Sequence, residues 1–437
     1  MRFAETIFGI KVPYIIWDNV RRFWYFLIVN KYNNLKQYDR IASKIKTKEK
    51  IKVAFFIVRE AVWKLDELYW LMKRSRRFEP IVVICPWVES SNNLFTFQEL
   101  NKVEAFCKEK GYDFISTYNH ESGDWKDIKE LIKPDIVFFT YPYVSFMRKE
   151  YCITNFVDVS LTCYATYGFN LDRKQYRQFN LLFHNLMWKG FYETSVHKML
   201  AGKYAYNKGK NVEAVGYPLF DEFEKAEQQA AKDVWKIKDR RIKRIIWAPH
   251  HTFDGVKGET QFSCFQYYAQ FMLEIAKMYR DKIQIAFKPH PTLKPKLLRM
   301  WGEYETNSYY AQWETLANGQ LEEGEYVHLF LTSDAMIFDS VSFICEYMYT
   351  GKPSLFTMID AKTLPLFNEF GEMAFKCLYH SYSEDDVKHF IENVVLCSDD
   401  SMKQERDMFF QQYLTPINNH TPSQNIFNYL ERVLKFH

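Results

Sequence analysis

The chain has no C-x-x-C pair, no G-x-G-x-x-G or Walker-type glycine loop, and no paired Asp-x-Asp. The first absence removes common zinc and redox signatures. The second argues against a nicotinamide enzyme and a P-loop ATPase. Eight cysteines, at 85, 107, 152, 163, 264, 345, 377 and 397, are scattered over 437 residues, so they read as reduced core residues of a cytoplasmic protein. Long apolar runs are also missing. The stretch from Val12 to Val29 is broken by Asp18, Arg21 and Arg22, and its longest uninterrupted piece, Phe23 to Val29, falls far short of the roughly 20 residues that span a bilayer. It lacks a small-residue cleavage site as well, so no secretory signal is expected. Charge of one sign is not in excess: 58 Lys and Arg face 54 Asp and Glu, a balance of +4. Nucleic acid is therefore not an expected partner, and any anionic ligand must be held locally.

Aromatic residues, by contrast, make up 18% of the chain. That exceeds the needs of one soluble core and places some of them at a binding cleft or a membrane surface. In the first fifty residues, Phe23, Trp24 and Tyr25 lie beside Arg21 and Arg22 and ahead of Lys31, Lys36, Arg40, Lys44, Lys46, Lys48 and Lys50. This composition suits an interfacial helix on an anionic leaflet, which would put the protein peripherally on the inner face of the cell membrane. A helix packed on the rest of the protein, with its arginines solvated, accounts for the pattern equally well.

From Ile51 onward, apolar runs alternate with segments of helical spacing, which predicts an α/β fold with parallel strands and crossover helices. Expected strands are Val53–Val58, Ile81–Cys85, Phe114–Ser116 and Ile136–Thr140 in the first half. In the second half they are Ile245–Ala248, Ile283–Phe287, His328–Leu331, Ala335–Phe338 and Ser354–Thr357. The charged stretch Glu222 to Arg244 is the expected connection. The implied organisation is a helical segment over 1–50, a Rossmann-like domain over 51–240, a second over 241–420 and a final helix over 421–437. Open α/β sheets place ligands at the carboxyl ends of their strands.

Three motifs stand there. Ala248-Pro-His-His-Thr puts His250, His251 and Thr252 in the loop after a strand; adjacent histidines on an extended chain face opposite ways, so one would face a ligand. Lys288-Pro-His-Pro presents His290 between two prolines, from a rigid platform, with Lys288 two residues away on the same face to help hold an anion. The third runs from Ser333 through Asp339-Ser-Val-Ser to Glu346 and Gly351-Lys-Pro. Ser340, Ser342 and the amides of a helix start would take a phosphate, and Glu346 a ribose or sugar hydroxyl. A plain Asp/Ser helix cap fits this third motif equally well.

In this order the motifs resemble the C-terminal half of the CDP-glycerol glycerophosphotransferases of teichoic acid synthesis, beginning at Val215-Gly-Tyr-Pro-Leu-Phe-Asp and covering roughly residues 212 to 360. The resemblance implies a GT-B fold, two Rossmann-like domains facing across a cleft, with a nucleotide-activated donor on the second. It implies no cofactor, and no metal is expected. The chain departs from the family where His250-His251-Thr252 replaces Thr-Trp-Arg. It departs again where Tyr167, in Ala165-Thr-Tyr-Gly, stands in place of the histidine of Trp-His-Gly-Thr. An ordinary tyrosine is a poor base at neutral pH, which leaves Asp172 and His184 as other candidates.

The expected reaction moves a glycerol-phosphate or related polyol-phosphate from a CDP-activated donor to a hydroxyl of a glycan or lipid-linked acceptor, releasing CMP. His290, His250, His251 and Tyr167 are the expected catalytic residues. Lys288, Thr252, Ser333, Asp339, Ser340, Ser342 and Glu346 are the expected donor-binding residues. Two other readings keep the fold: a glycosyltransferase using a nucleotide sugar in capsule or lipopolysaccharide synthesis, and a binding protein on a degenerate scaffold.

Overall fold

A computed structural model describes residues 3–7, 10–13, 19–20, 22–25, 27, 34–88, 97–253, 261, 263–358 and 366–435. The chain forms two compact units. The first comprises residues 1–168, 175–219 and 416–437, and the second residues 169–174 and 220–415.

In the first unit, β1 (Phe3–Ile7) and β2 (Ile10–Pro13) pair antiparallel. The expected all-helical start is thereby corrected: helix appears at residues 19–20 and 22–25 and again over Asn34–Lys46. The strands β3 (Ile51–Ile57), β4 (Phe78–Ile84), β5 (Phe114–Ser116), β6 (Ile136–Phe139), β7 (Leu161–Ala165), β8 (Lys189–Tyr192) and β9 (Val212–Ala214) form one parallel sheet ordered β5-β4-β3-β6-β7-β8-β9. β6 and β7 are buried along their whole length, as strands covered on both faces must be; β6 is accordingly a continuous apolar run, and in β7 only Thr162 interrupts one.

The helix Pro422–Val433 belongs to this unit and packs on the helix Asp66–Arg74. Ile426 and Leu430 are fully buried, Phe427 meets Phe78 edge-on at 5.6 Å, and Asn425 donates to Val215 O at 3.1 Å. Gly216 has φ +100°, and a Cβ there would approach Pro422 Cγ to 2.8 Å. The glycine of the Gly-Tyr-Pro motif is thus required by backbone shape and by the close approach of this helix. Leu430→Ala should destabilise the first unit by about 2–4 kcal/mol, read as a lower denaturant midpoint at unchanged slope.

In the second unit, β10 (Lys243–Ala248), β11 (Ile283–Phe287), β12 (Gly319–Leu321), β13 (Ala335–Phe338), β14 (Ser354–Thr357) and β15 (Tyr379–Ser381) form a parallel sheet ordered β12-β11-β10-β13-β14-β15. Chain order therefore reverses between β10 and β13, the switch point of a doubly wound fold. Trp247 on β10 stacks on Phe265 and Phe287, with centroids 5.8 and 5.0 Å away, and meets Trp313 at a tilt at 5.5 Å, so part of the aromatic surplus is the core of this unit.

Two expectations fail in this unit. His328–Leu331 lies within the helix Val327–Thr332 and is not a strand, because a run as short as Leu329-Phe330-Leu331 carries no period that separates the two. The stretch Glu222 to Arg244 is no loose connector. The chain changes unit at 219/220, ahead of the expected division at 240, and the stretch is built into the second unit. Trp235 is buried and donates Nε1–H to Thr332 at 3.0 Å, and the buried Arg244 pairs with Asp233 at 2.8 Å.

Candidate active site

β10, β11 and β13 are sheet neighbours, so the three motifs come together at their carboxyl ends although they are far apart in sequence. His250 and His251 follow β10, and His290 follows β11. The three rings make a triangle with centroids 4.4 Å (His250–His251), 4.6 Å (His250–His290) and 4.4 Å (His251–His290) apart. The loops are tied by His290 N–H to Pro249 O at 3.1 Å.

Protonation follows from this geometry. Burial, aided by His251, Lys288 and Lys296, pushes His290 down to about 3. Burial, aided by His290, His251 and Lys296, holds His250 well below its ordinary value. Both are neutral at pH 7. Thr292 donates its N–H to His290 Nδ1 at 3.1 Å, so the neutral ring carries its proton on Nε2. His290 is therefore a fixed N–H donor. His250 Nδ1 is engaged by Thr252 Oγ1 at 2.9 Å.

One ring nitrogen of each histidine lies within 4.8 Å of the others, close enough to hold a metal ion. The Thr292 contact opposes this at His290. Coordination through Nε2 would need Nδ1 to carry the proton, setting it against the Thr292 N–H. The set fits a hydrogen-bond acceptor, such as a phosphate oxygen, better than a cation.

Asp339, at the end of β13, is fully buried and accepts from the backbone N–H groups of His250 and of Cys264, the latter at 2.6 Å. Its carboxylate clamps the histidine loop to the start of the helix Phe265–Met278 rather than presenting a ligand group. Burial raises it to about 7 against the pull of those N–H groups. Ser263 reinforces the clamp by donating to His250 O at 2.7 Å.

Several expected donor-binding residues are committed elsewhere. Lys288 is buried and donates to Gly324 O at 2.8 Å and Glu322 O at 3.4 Å, fastening β11 to the loop beyond β12. Ser333 bonds Phe330 O and the Tyr347 hydroxyl, each at 2.8 Å, in the core. Glu346, also buried, accepts from the Tyr326 hydroxyl at 2.7 Å. These bonds tie all three into the framework of the second unit. Ser340 is buried and Ser342 exposed; Ser342 precedes the helix Phe343–Met348 without a side-chain capping bond.

Tyr167 lies in the first unit, where burial, aided by Tyr143 and Tyr141, pushes its hydroxyl well above the usual value. A hydroxyl held protonated in this way is a poor base at neutral pH. His184 is buried with Nδ1 accepting from Leu181 N–H at 3.2 Å and a pKa pushed down to about 3 by burial. Asp172 accepts from Lys174 N–H at 2.8 Å.

Lys296 was not singled out by the sequence. It is buried on the helix Leu293–Met300, and its charge helps depress both His250 and His290. A lysine six residues beyond His290, on the helix that its loop initiates, is the signal that identifies it.

A model of the family described as CDP-Glycerol:Poly(glycerophosphate) glycerophosphotransferase matches residues 167–430, more than half of the chain. The chain belongs to that family. It is accordingly a transferase of the CDP-glycerol glycerophosphotransferase type, and the match takes in every second-unit motif described above. Among solved structures, the wall teichoic acid polymerase TagF is 14% identical, with 95% of this chain and 98% of that one covered and a TM-score of 0.54. A variant of it has also been solved after a soak with CDPG. A UDP-GlcNAc 2-epimerase from Neisseria meningitidis, bound to UDP-GlcNAc, is likewise 14% identical, with 88% of this chain and 99% of that one covered and a TM-score of 0.55. At such identities the likeness establishes the fold, which is GT-B. Comparison with curated proteins finds no match.

Proposed function

We propose that the donor is CDP-glycerol or a close CDP-polyol, and that its diphosphate lies against the three histidines at the β10–β13 switch point. The observation that carries this is the fixed Nε2–H of His290, a neutral donor aimed from a proline-locked loop and backed by the charge of Lys296. An acceptor hydroxyl attacks the phosphorus that bears the glycerol. A new P–O bond forms, the bridging P–O bond breaks with its electron pair leaving on CMP, and the hydroxyl proton passes to a base. Preorganised N–H donors stabilise the charge that develops on the phosphoryl oxygens. His250, held by Asp339 and Thr252, shares this role with His251, and Asp339 is a positioning residue. The exposed serine, Ser342, is the hydroxyl of the β13 loop best situated for the donor.

The acceptor is a cell-surface glycan or a lipid-linked chain. Phe23, Trp24 and Leu27 are 60%, 59% and 42% exposed, and the helix Asn34–Lys46 that follows ends in Lys44 and Lys46. This supports peripheral contact with the inner face of the membrane; Phe26, Ile28 and Val29 of the Phe23–Val29 cluster lie outside the described residues. Among the described residues no helix is long and apolar enough to cross a membrane.

Donor turnover by the purified protein tests the reading. CMP should be released from CDP-glycerol or CDP-ribitol in the presence of acceptor. UDP released from UDP-sugars, with no turnover of either CDP-polyol, would overturn it in favour of the glycosyltransferase.

A further inference from the structure

The reaction leaves one role without a residue, the base that takes the proton of the acceptor hydroxyl. Tyr167 holds its own proton, and His184 has Nδ1 engaged by Leu181 N–H, so its proton sits on Nε2 and neither nitrogen accepts another. His290 and His250 are spent as donors. Asp339 and Glu346, the carboxylates on the β13 side, are buried on internal partners. Asp172 is differently placed. Residues 169–174 lie in sequence between two stretches of the first unit, yet they belong to the second, the unit that carries the histidines.

The segment is fixed there along its length. Asn368 donates its backbone N–H to Leu171 O at 2.7 Å and its side-chain amide to Asn170 O, Arg173 N–H donates to Leu366 O at 2.9 Å, and Asp172 forms an antiparallel bridge with Phe367. Leu171 is fully buried, and Phe169 stacks on Phe370 with 4° between the planes. Gly371 permits the approach, since a Cβ there would stand 2.7 Å from Leu171 O. Phe367 meets the ring of Phe356, on β14, at 6.3 Å and precedes the helix Glu369–Phe375. That helix connects β14 to the parallel strand β15, so its first turn lies at the carboxyl edge of the sheet. Half-buried Asp172 therefore stands on the same edge as the histidine loops, with only β13 between β14 and β10. At about 4.8 Å per strand, the ends of β10 and β14 are roughly 10 Å apart. An attacking oxygen ~3 Å from a base and ~3 Å from phosphorus, with a phosphoryl oxygen hydrogen-bonded to an imidazole beyond, spans about that distance.

We infer that Asp172, carried into the second unit on residues 169–174, is the catalytic base for the acceptor. Its carboxylate takes the hydroxyl proton as the acceptor oxygen bonds to phosphorus and the bridging P–O bond breaks onto CMP; solvent then takes the proton. The assignment rests on the transferase reading for the reaction, and on the docking of the segment for the residue.

The test measures CMP release from CDP-glycerol by the full chain, with bis(glycerol) phosphate as acceptor and with a fluorinated analogue whose attacking hydroxyl is more acidic. Asp172→Asn should lower kcat by about 10²–10⁴-fold and leave the KM for CDP-glycerol unchanged. Asparagine keeps the oxygen that accepts from Lys174 N–H, so the turn at this position survives, and thermal unfolding serves as the folding control. Asp172→Glu, which keeps a carboxylate, should recover part of the loss. A more acidic hydroxyl needs a base less, so the gap between wild type and Asp172→Asn should shrink about tenfold or more with the fluorinated acceptor. A residue that only shapes the segment would cost the same factor with both. Undiminished turnover by Asp172→Asn, or a loss that is equal for the two acceptors, would overturn the inference. Wild-type protein that releases no CMP with either acceptor would instead sink the transferase reading on which it rests.

Discussion

His290→Ala lowers the rate of CMP release from CDP-glycerol by about 10²–10³-fold, with little change in KM for the donor. The expectation follows from the proton on Nε2. Because Thr292 N–H occupies Nδ1, the ring does not have to choose a tautomer when the donor arrives, and its N–H is already aimed. A group whose hydrogen bond strengthens as charge develops on the phosphoryl oxygens acts on kcat more than on ground-state binding. His290→Gln, whose amide N–H reaches about as far as Nε2, should recover part of the loss. The pH dependence carries a further signature. With His290 held at about 3 in the free protein, kcat/KM should show no limb near pH 6.5 from this residue. Donor binding should instead take up protons as the diphosphate raises the pKa values of the neutral imidazoles, so that affinity weakens with rising pH. Alanine and glutamine variants of equal, undiminished activity would remove His290 from the mechanism.

Asp339→Asn costs about 2–3 kcal/mol of stability in the second unit and lowers turnover as well. One oxygen of the carboxylate accepts from His250 N–H and the other from Cys264 N–H. An amide turns one of these into a donor facing a donor in a fully buried site. The pH dependence has a definite sign. Burial raises the folded-state pKa from 3.8 to about 7, so the folded protein binds the proton more tightly than the unfolded chain. The resulting stability is present in full below about pH 4 and is lost as pH rises through 7. The variant lacks this term, so the gap between wild type and Asp339→Asn should be widest in acid and narrow above pH 7. Denaturant melts at several pH values read it directly, and a gap that widens toward alkaline pH would refute the raised pKa of Asp339.

The parts of this site that were legible in the sequence are local. Pro-His-Pro after a buried apolar run identifies a rigid strand-end histidine because both the strand and the prolines act within a few residues. Asp339, Lys288 and Glu346 were legible as strand-end polar groups but not by role. Asp339 is spent on an amide 89 residues away, and Lys288 on carbonyls 34 and 36 residues away. Nothing in a strand's own sequence says which way its last side chain turns. The same limit explains Val327–Thr332, whose apolar residues satisfy a strand and a helix alike until the packing of Phe330 against Phe223 and Tyr347 selects the helix. The placement of residues 169–174 in the second unit was invisible for a related reason: it rests on Asn368, 198 residues from the Asn170 carbonyl that it holds.

The most direct test of the account is the bond that is made. Purified protein, CDP-glycerol and a hydroxyl acceptor, followed by ³¹P NMR, should give a new phosphodiester resonance and CMP in equal amounts, both slowed together by about 10²–10³-fold in His290→Ala. Release of a nucleoside diphosphate without a new phosphodiester would show attack at carbon and contradict the account.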